Sequence, residues 1–264
     1  VSHQRKRTAI LISGRGSNMR ALIEAACAPS YPAEICLVLS NRPDAPGLAF
    51  AKANGIAVAV VDHKIHAGRE DFERSMQILL ELHRIDLVCL AGFMRLLTPW
   101  FIGQWRGRLV NIHPSLLPAY RGLHTHARAL ADGVTIHGCT VHFVVEAMDE
   151  GPIIAQAAVP VLETDTPETL AARVLAQEHV AYPAALAQVA SGAYAMQGNR
   201  VLVGELAAEP PPLLVPPAGS SEPEPTSRRE ITTKQECGAV SDSIGSDTAP
   251  GSRLRRSPSP SGCS

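Results

Sequence analysis

The sequence predicts an α/β fold: a mostly parallel, twisted sheet flanked by helices, with an antiparallel hairpin added to it. Three observations carry that expectation. Short apolar or β-branched runs alternate with longer amphipathic stretches through the first half of the chain, the pattern of βαβ crossovers. The short runs have the apolar character of strands covered by helices on both faces. After residue 135, two extended runs follow each other across one short loop, which reads as a hairpin.

Taken in order, the first strand is expected over 8–13, and the others of the parallel part over 34–39, 57–61, 86–91 and 108–112. Helical patterns at 17–28, 45–54 and 70–84 lie between the first four. The hairpin is expected from extended runs at 137–145 and 152–161 joined by a loop at 146–151. A helix over about 167–191 follows, with Thr166 as its N-cap and Pro167 at its first helical position, where the missing N–H costs nothing. A last hairpin over 194–203 turns at Gln197, Gly198 and Asn199. Leu117-Pro118 is a candidate cis bond.

The composition changes near residue 207. From Glu209 onward there are 10 of the 21 prolines and 11 serines, and no aromatic residue follows Tyr194. Such a segment cannot bury enough apolar surface to offset the entropy of ordering it. The expected organisation is a folded domain over 1–206 and a disordered Pro/Ser-rich tail over 207–264. The 24 Lys and Arg against 25 Asp and Glu give a net charge of −1. No whole-chain field therefore points to nucleic acid or an anionic membrane, and neither is expected as a partner. No apolar run approaches the ~18 residues of a spanning helix, the residues before the first strand do not form a signal peptide, and a cytoplasmic protein is expected. The six cysteines show no C-x-x-C spacing, so no structural zinc is expected.

Three segments carry chemistry. Ser13-Gly14-Arg15-Gly16-Ser17-Asn18 follows the first strand and opens a helix, where backbone N–H groups and the helix dipole receive phosphate. It lacks the Gly-Lys-Ser/Thr of a Walker loop. Met19 in the third glycine position and Ser40-Asn41 in place of an acidic residue make it a poor dinucleotide fingerprint, so a mononucleotide or sugar phosphate suits it better. The same residues suit a tight turn with Ser17 or Asn18 as N-cap.

On the extended stretch 108–114, Asn111 and His113 share one face, and Pro114 ends the strand at the sheet edge where open α/β folds bind ligands. An amide beside an imidazole can stabilise an oxyanion, and the imidazole can move a proton; the pair can equally cap a strand end. Asp149, in the hairpin loop, could orient His113 and favour its protonated form, or belong to a simple Asp-x-Gly-Pro turn. His124, His126, His137 and His142 invite a metal hypothesis, but no cysteine or acidic ligand stands at a recognisable spacing, and no metal is expected.

Together these stretches resemble phosphoribosylglycinamide formyltransferase. The resemblance is carried, in order, by Ile10–Asn18, Leu90–Leu97, Asn111–Pro118, Gly122–His126, His137–Phe143, Asp149–Pro152 and Gln177-Glu178-His179. It covers about 7–200. It implies a Rossmann-like fold and the transfer of formyl from 10-formyltetrahydrofolate, as cosubstrate and without metal, to the amine of glycinamide ribonucleotide in purine synthesis. By resemblance Asn111, His113 and Asp149 are catalytic. Gly16, Ser17 and Asn18 bind the substrate phosphate, and Glu178 its ribose or glycinamide part. Met94, Arg95, Leu96 and Leu97 line the pteridine pocket opposite Val145, Glu146, Ala147, Met148 and Asp149, with Asn111 also touching the folate and Arg69 near its tail. For Met94, Leu96 and Leu97 the residue types alone favour ordinary core packing.

Two other formyl-folate enzymes compete. A methionyl-tRNA formyltransferase is expected to carry a basic carboxyl-terminal domain, and a formyltetrahydrofolate deformylase an amino-terminal regulatory one; the length disfavours both. A non-catalytic folate or nucleotide binder has no use for an oxyanion stabiliser beside a proton relay. A monomer or homodimer is expected.

Overall fold

The computed structural model describes residues 4–203, and the expected tail over 207–264 lies outside the described residues. Five strands run parallel: β1 (Lys6–Ile12), β2 (Ala33–Ser40), β3 (Ala57–Val60), β4 (Leu87–Leu90) and β5 (Leu109–His113). They are connected through α1 (Ser17–Ala26), α2 (Gly47–Ala53), α3 (Arg69–Leu82) and α4 (Pro99–Gln104). After α5 (Thr125–Ala131), the strands β6 (Ile136–Phe143) and β7 (Ile153–Pro160) add to β5 as an antiparallel hairpin. Helix α6 (Pro167–Ser191) then leads to a small antiparallel hairpin, β8 (Tyr194–Gln197) and β9 (Arg200–Val203).

The sheet order is β3-β2-β1-β4-β5-β6-β7-β9-β8. The chain steps outward from β1 to β3, then returns to the other side of β1 with β4. That reversal leaves a crevice at the carboxyl ends of β1 and β4, the usual ligand position in open α/β sheets.

Both faces of the parallel part are covered, and the side chains of each strand divide between them. Ile10 and Ile12 of β1 pack with Met19 and Leu22 of α1 and Tyr182 and Leu186 of α6. Ala9 and Leu11 face the other way, toward Phe72, Met76 and Leu80 of α3 and Phe101 of α4. This is why the strands read as continuous apolar runs. Tyr182, fully buried, sets its hydroxyl 3.0 Å from the carbonyls of both Leu90 and Val110, tying α6 to β4 and β5.

The expected strands, first three helices and hairpins are found with small shifts in their ends. Helix α6 begins as expected: the Thr166 side chain accepts from Thr169 N–H at 3.3 Å, and the Thr169 hydroxyl accepts from Thr166 N–H at 2.9 Å. The Leu117-Pro118 peptide is cis. Helices α4 and α5 were not among the expected elements. The first is only six residues long, too short to display helical periodicity. It starts at a Thr98 cap with Pro99 in its first turn, and Glu73 of α3, 1% exposed, accepts from Thr98 N–H at 2.7 Å and from its hydroxyl. Burial raises the Glu73 carboxyl above its usual range, and the two hydrogen bonds fix the loop after β4 onto α3.

The β6–β7 pairing leaves no room at Gly138, where an added Cβ would lie 2.0 Å from the Ala157 carbonyl oxygen and 2.9 Å from Leu116 Cδ2. Gly138→Ala is expected to cost about 3 kcal/mol of stability or more, read from urea unfolding. An unchanged midpoint would contradict so close an approach of the two strands.

Candidate active site

The loop after β1 turns into α1 through Gly16, whose φ of 68° lies in the left-handed region that glycine enters without steric cost. Gly16 itself is the N-cap and no side chain caps the helix, which corrects the reading of Ser17 or Asn18 as cap. Ser17 is already helical, so it cannot fold back on the first turn as a capping side chain does. The first α-helical bond runs from Arg20 N–H to the Gly16 carbonyl at 3.0 Å, leaving the amides of 17–19 without an intrahelical partner. Gly47 N–H of α2 donates to the Gly14 carbonyl at 3.1 Å and steadies the loop from behind.

Asn18 links this loop to α6. Its amide donates to Glu178 Oε2 at 2.6 Å, while its own Oδ1 is buried without a partner. Glu178 is itself buried, and desolvation raises its carboxyl above the usual range against the pull of Asn18 and of the His179 and His113 imidazoles. An unclaimed acceptor and a carboxylate therefore stand side by side next to the helix end.

On the expected extended stretch, Asn111 and His113 fall on the last strand residues of β5. His113 is 6% exposed. Its Nε2 lies 3.0 Å from the Tyr120 carbonyl and its Nδ1 3.6 Å from Asp149 Oδ2. Both ring nitrogens thus face acceptors. Asp149 adopts a left-handed φ of 56° and accepts the Gly122 N–H at 2.9 Å through Oδ2. The structure brings Asn111, His113 and Asp149 together from two separate parts of the chain.

His142 joins them. It stands opposite Asn111 across the β5–β6 pair, and the Asn111 amide nitrogen lies 3.1 Å from its Nε2. Asp149 Oδ1 is 3.9 Å from the same nitrogen. The sequence reading placed His142 only in the metal hypothesis. Strand alternation puts Thr140 and His142 on one face, but the partner of His142 is set by the β5–β6 register.

The proposed folate residues lie on two loops. Hydrogen bonds from Ser13 N–H to the Gly92 carbonyl at 3.2 Å and from Met94 N–H to the Ser13 hydroxyl at 2.8 Å fasten the loop after β4 to the glycine loop. An open cleft of about 450 Å³ is lined by both loops, including Gly16, Ser17, Asn18, Met94 and Arg95. Met94 is 72% and Leu96 64% exposed, so core packing does not explain them; Leu97 does pack partly against the core. Val145 is half-buried, while Glu146, Ala147 and Met148 are exposed on the β6–β7 loop. Arg69 opens α3 on the surface with Glu73 as charged neighbour, and no hydrogen bond or ion pair joins it to the other proposed residues.

Two further histidines are packed beneath His113. The His126 and His137 rings meet edge to face at 5.2 Å, and Tyr120 meets His137 edge to face at 5.8 Å. Burial first, then the neighbouring His126, pushes His137 from 6.5 down to about 4. The unfolded chain takes up a proton there that the folded chain refuses, so the stabilisation from His137 is complete above pH 6.5 and lost as pH falls toward 4. In urea unfolding, the stability gap between wild type and His137→Gln should narrow across that window. A constant gap would show an ordinary titration. Among the described residues, no three His, Cys, Asp or Glu side chains are grouped to hold a metal ion, and no helix is long and apolar enough to cross a membrane.

Comparison with known proteins adds a second line of observation. The family profile described as formyl transferase matches residues 6–186. Over 190 residues the chain is 44% identical to phosphoribosylglycinamide formyltransferase of Escherichia coli, covering 72% of this chain and 90% of that protein. It is 47% identical over 196 residues to the human trifunctional purine biosynthetic protein adenosine-3; this covers 74% of the chain but only 19% of the human protein's length. The crystal structure of phosphoribosylglycinamide formyltransferase from Brucella melitensis superposes with a TM-score of 0.69 at 56% identity, over 72% of this chain and 97% of that one.

Proposed function

The chain belongs to the phosphoribosylglycinamide formyltransferase family, and on that premise we propose that it transfers the formyl group of 10-formyltetrahydrofolate to the amine of glycinamide ribonucleotide, in de novo purine synthesis. The products are formylglycinamide ribonucleotide and tetrahydrofolate. The observation that carries the reading is the convergence of Asn111, His113 and Asp149, with Glu178 linking them to the glycine loop through its hydrogen bond to Asn18 and its charge interaction with His113.

In the proposed reaction the phosphate sits on the loop of Gly16, Ser17 and Asn18, and Glu178 with the Asn18 side-chain Oδ1 takes the ribose or glycinamide part. The folate lies along Met94–Leu97, with the 145–149 loop across from it and Arg69 toward its tail. The substrate amine attacks the formyl carbon, and the carbonyl electrons move onto oxygen. The Asn111 amide and the His113 imidazolium stabilise that oxyanion, the latter by exchanging its bond to the Tyr120 carbonyl for one to the substrate oxygen. The amine proton leaves toward Asp149, directly or through water, and a proton returns to N10 of the folate as the C–N bond breaks. Both substrates are small molecules, and the protein acts as a monomer or homodimer without metal.

The test is whether purified protein forms tetrahydrofolate from 10-formyltetrahydrofolate only when glycinamide ribonucleotide is added. Release of formate without the amine would favour a deformylase instead.

A further inference from the structure

The direct pairing of Asn111 with a buried histidine has a bearing on the rate of formyl transfer, on which reading the following rests. We propose that His142 is a positioning residue. It claims one N–H of the Asn111 amide and so keeps the nitrogen end of that amide fixed, with its second N–H left as donor for the oxyanion.

The argument starts from the Phe143 carbonyl, which lies 2.9 Å from His142 Nδ1. A carbonyl only accepts, so Nδ1 carries the hydrogen, and in the neutral ring Nε2 is left with a lone pair. His142 is 2% exposed, and burial favours the neutral ring. Nε2 then accepts from the Asn111 amide nitrogen at 3.1 Å. A flipped amide would set its oxygen lone pairs against that of Nε2, with no hydrogen between them. The Asp149 carboxylate, 3.9 Å from Nε2, is too far to replace the amide as partner.

The carbonyl that selects the tautomer is held in turn by the hairpin loop. An added Cβ at Gly151 would lie 1.7 Å from the Phe143 oxygen, so only glycine lets the loop close there. A chain of contacts thus runs from Gly151 through Phe143 and His142 to the one donor that must point correctly.

Kinetics of His142→Phe, His142→Gln, Asn111→Ala and the His142→Phe/Asn111→Ala pair test this. His142→Phe should lower kcat by about 10–100-fold, less than deletion of an oxyanion donor, since the amide remains but can flip. Both KM values should stay within about threefold. His142→Gln can place a carbonyl acceptor near the position of Nε2 and should recover most of the rate. With Asn111 already replaced by alanine, His142→Phe should add little, since the two side chains act as one unit.

A wild-type kcat in His142→Phe, no recovery in His142→Gln, or a full additive loss in the double variant would overturn the proposal. The tautomer is read independently of turnover from the two-bond ¹H–¹⁵N NMR spectrum of the imidazole. A proton on Nδ1 is expected, and one on Nε2 overturns the proposal even if transfer activity stands or His142→Phe fails to fold. If wild type makes no formylglycinamide ribonucleotide, the assigned reaction fails, and the tautomer alone decides the orientation of the amide.

Discussion

Replacing His113 by alanine is expected to lower kcat by about 10²–10⁴-fold with little change in either KM, because the lost groups act mainly in the transition state. The imidazole is nearly enclosed, between the Tyr120 carbonyl at 3.0 Å and the Asp149 carboxylate at 3.6 Å. Asp149→Asn separates charge from architecture. Its amide oxygen can still accept the Gly122 N–H that Asp149 accepts at 2.9 Å, which keeps the loop seated, while the negative charge beside His113 is gone. Its kcat should therefore fall strongly at unchanged thermal stability. Near-normal turnover in either variant, with folding confirmed, would remove that residue from the mechanism.

Much of this site could be read from the sequence, for identifiable reasons. Asn111 and His113 announced themselves because period-two alternation and a following proline place both at the end of one strand. Thr166-Pro167 announced α6, whose start depends only on local chemistry. The same Thr-Pro signal at Thr98-Pro99 marks α4, and it went unused because six residues give no apolar stripe to confirm a helix. What could not be read locally was anything set by pairing across the sheet. The contact of Asn111 with His142 depends on the β5–β6 register, and the seat of Asp149 depends on a backbone amide 27 residues away. The helix cap was misplaced because preference favours Ser and Asn over Gly. Here the left-handed turn at Gly16 outweighed that preference, and it left the first amides uncapped.

Those uncapped amides make the substrate phosphate the feature whose removal should cost most on the substrate side. A hydrogen bond to a charged group contributes about 1.5–3 kcal/mol, and two of them lost correspond to roughly 10²–10⁴-fold. Glycinamide riboside, lacking the phosphate, should lose about that factor in kcat/KM, part of it in kcat, since a remote anchor also positions the amine for attack. A folate analogue with a shortened glutamate tail should lose far less. Gly16→Ala tests the cradle from the protein side. The residue sits at φ 68°, and an added Cβ would meet Met19 Cε at 3.1 Å, so alanine must either bear about 1–2 kcal/mol of left-handed strain or shift the loop. A shifted loop carries the amides of 17–19 with it. The KM for the ribonucleotide should then rise while folate affinity changes much less, because the loop after β4 meets the glycine loop only at Ser13, before the turn, and is anchored at its far end by Glu73 and Thr98. Equal efficiency with riboside and ribonucleotide would take the phosphate away from this loop and leave Gly16 with the single task of turning β1 into α1.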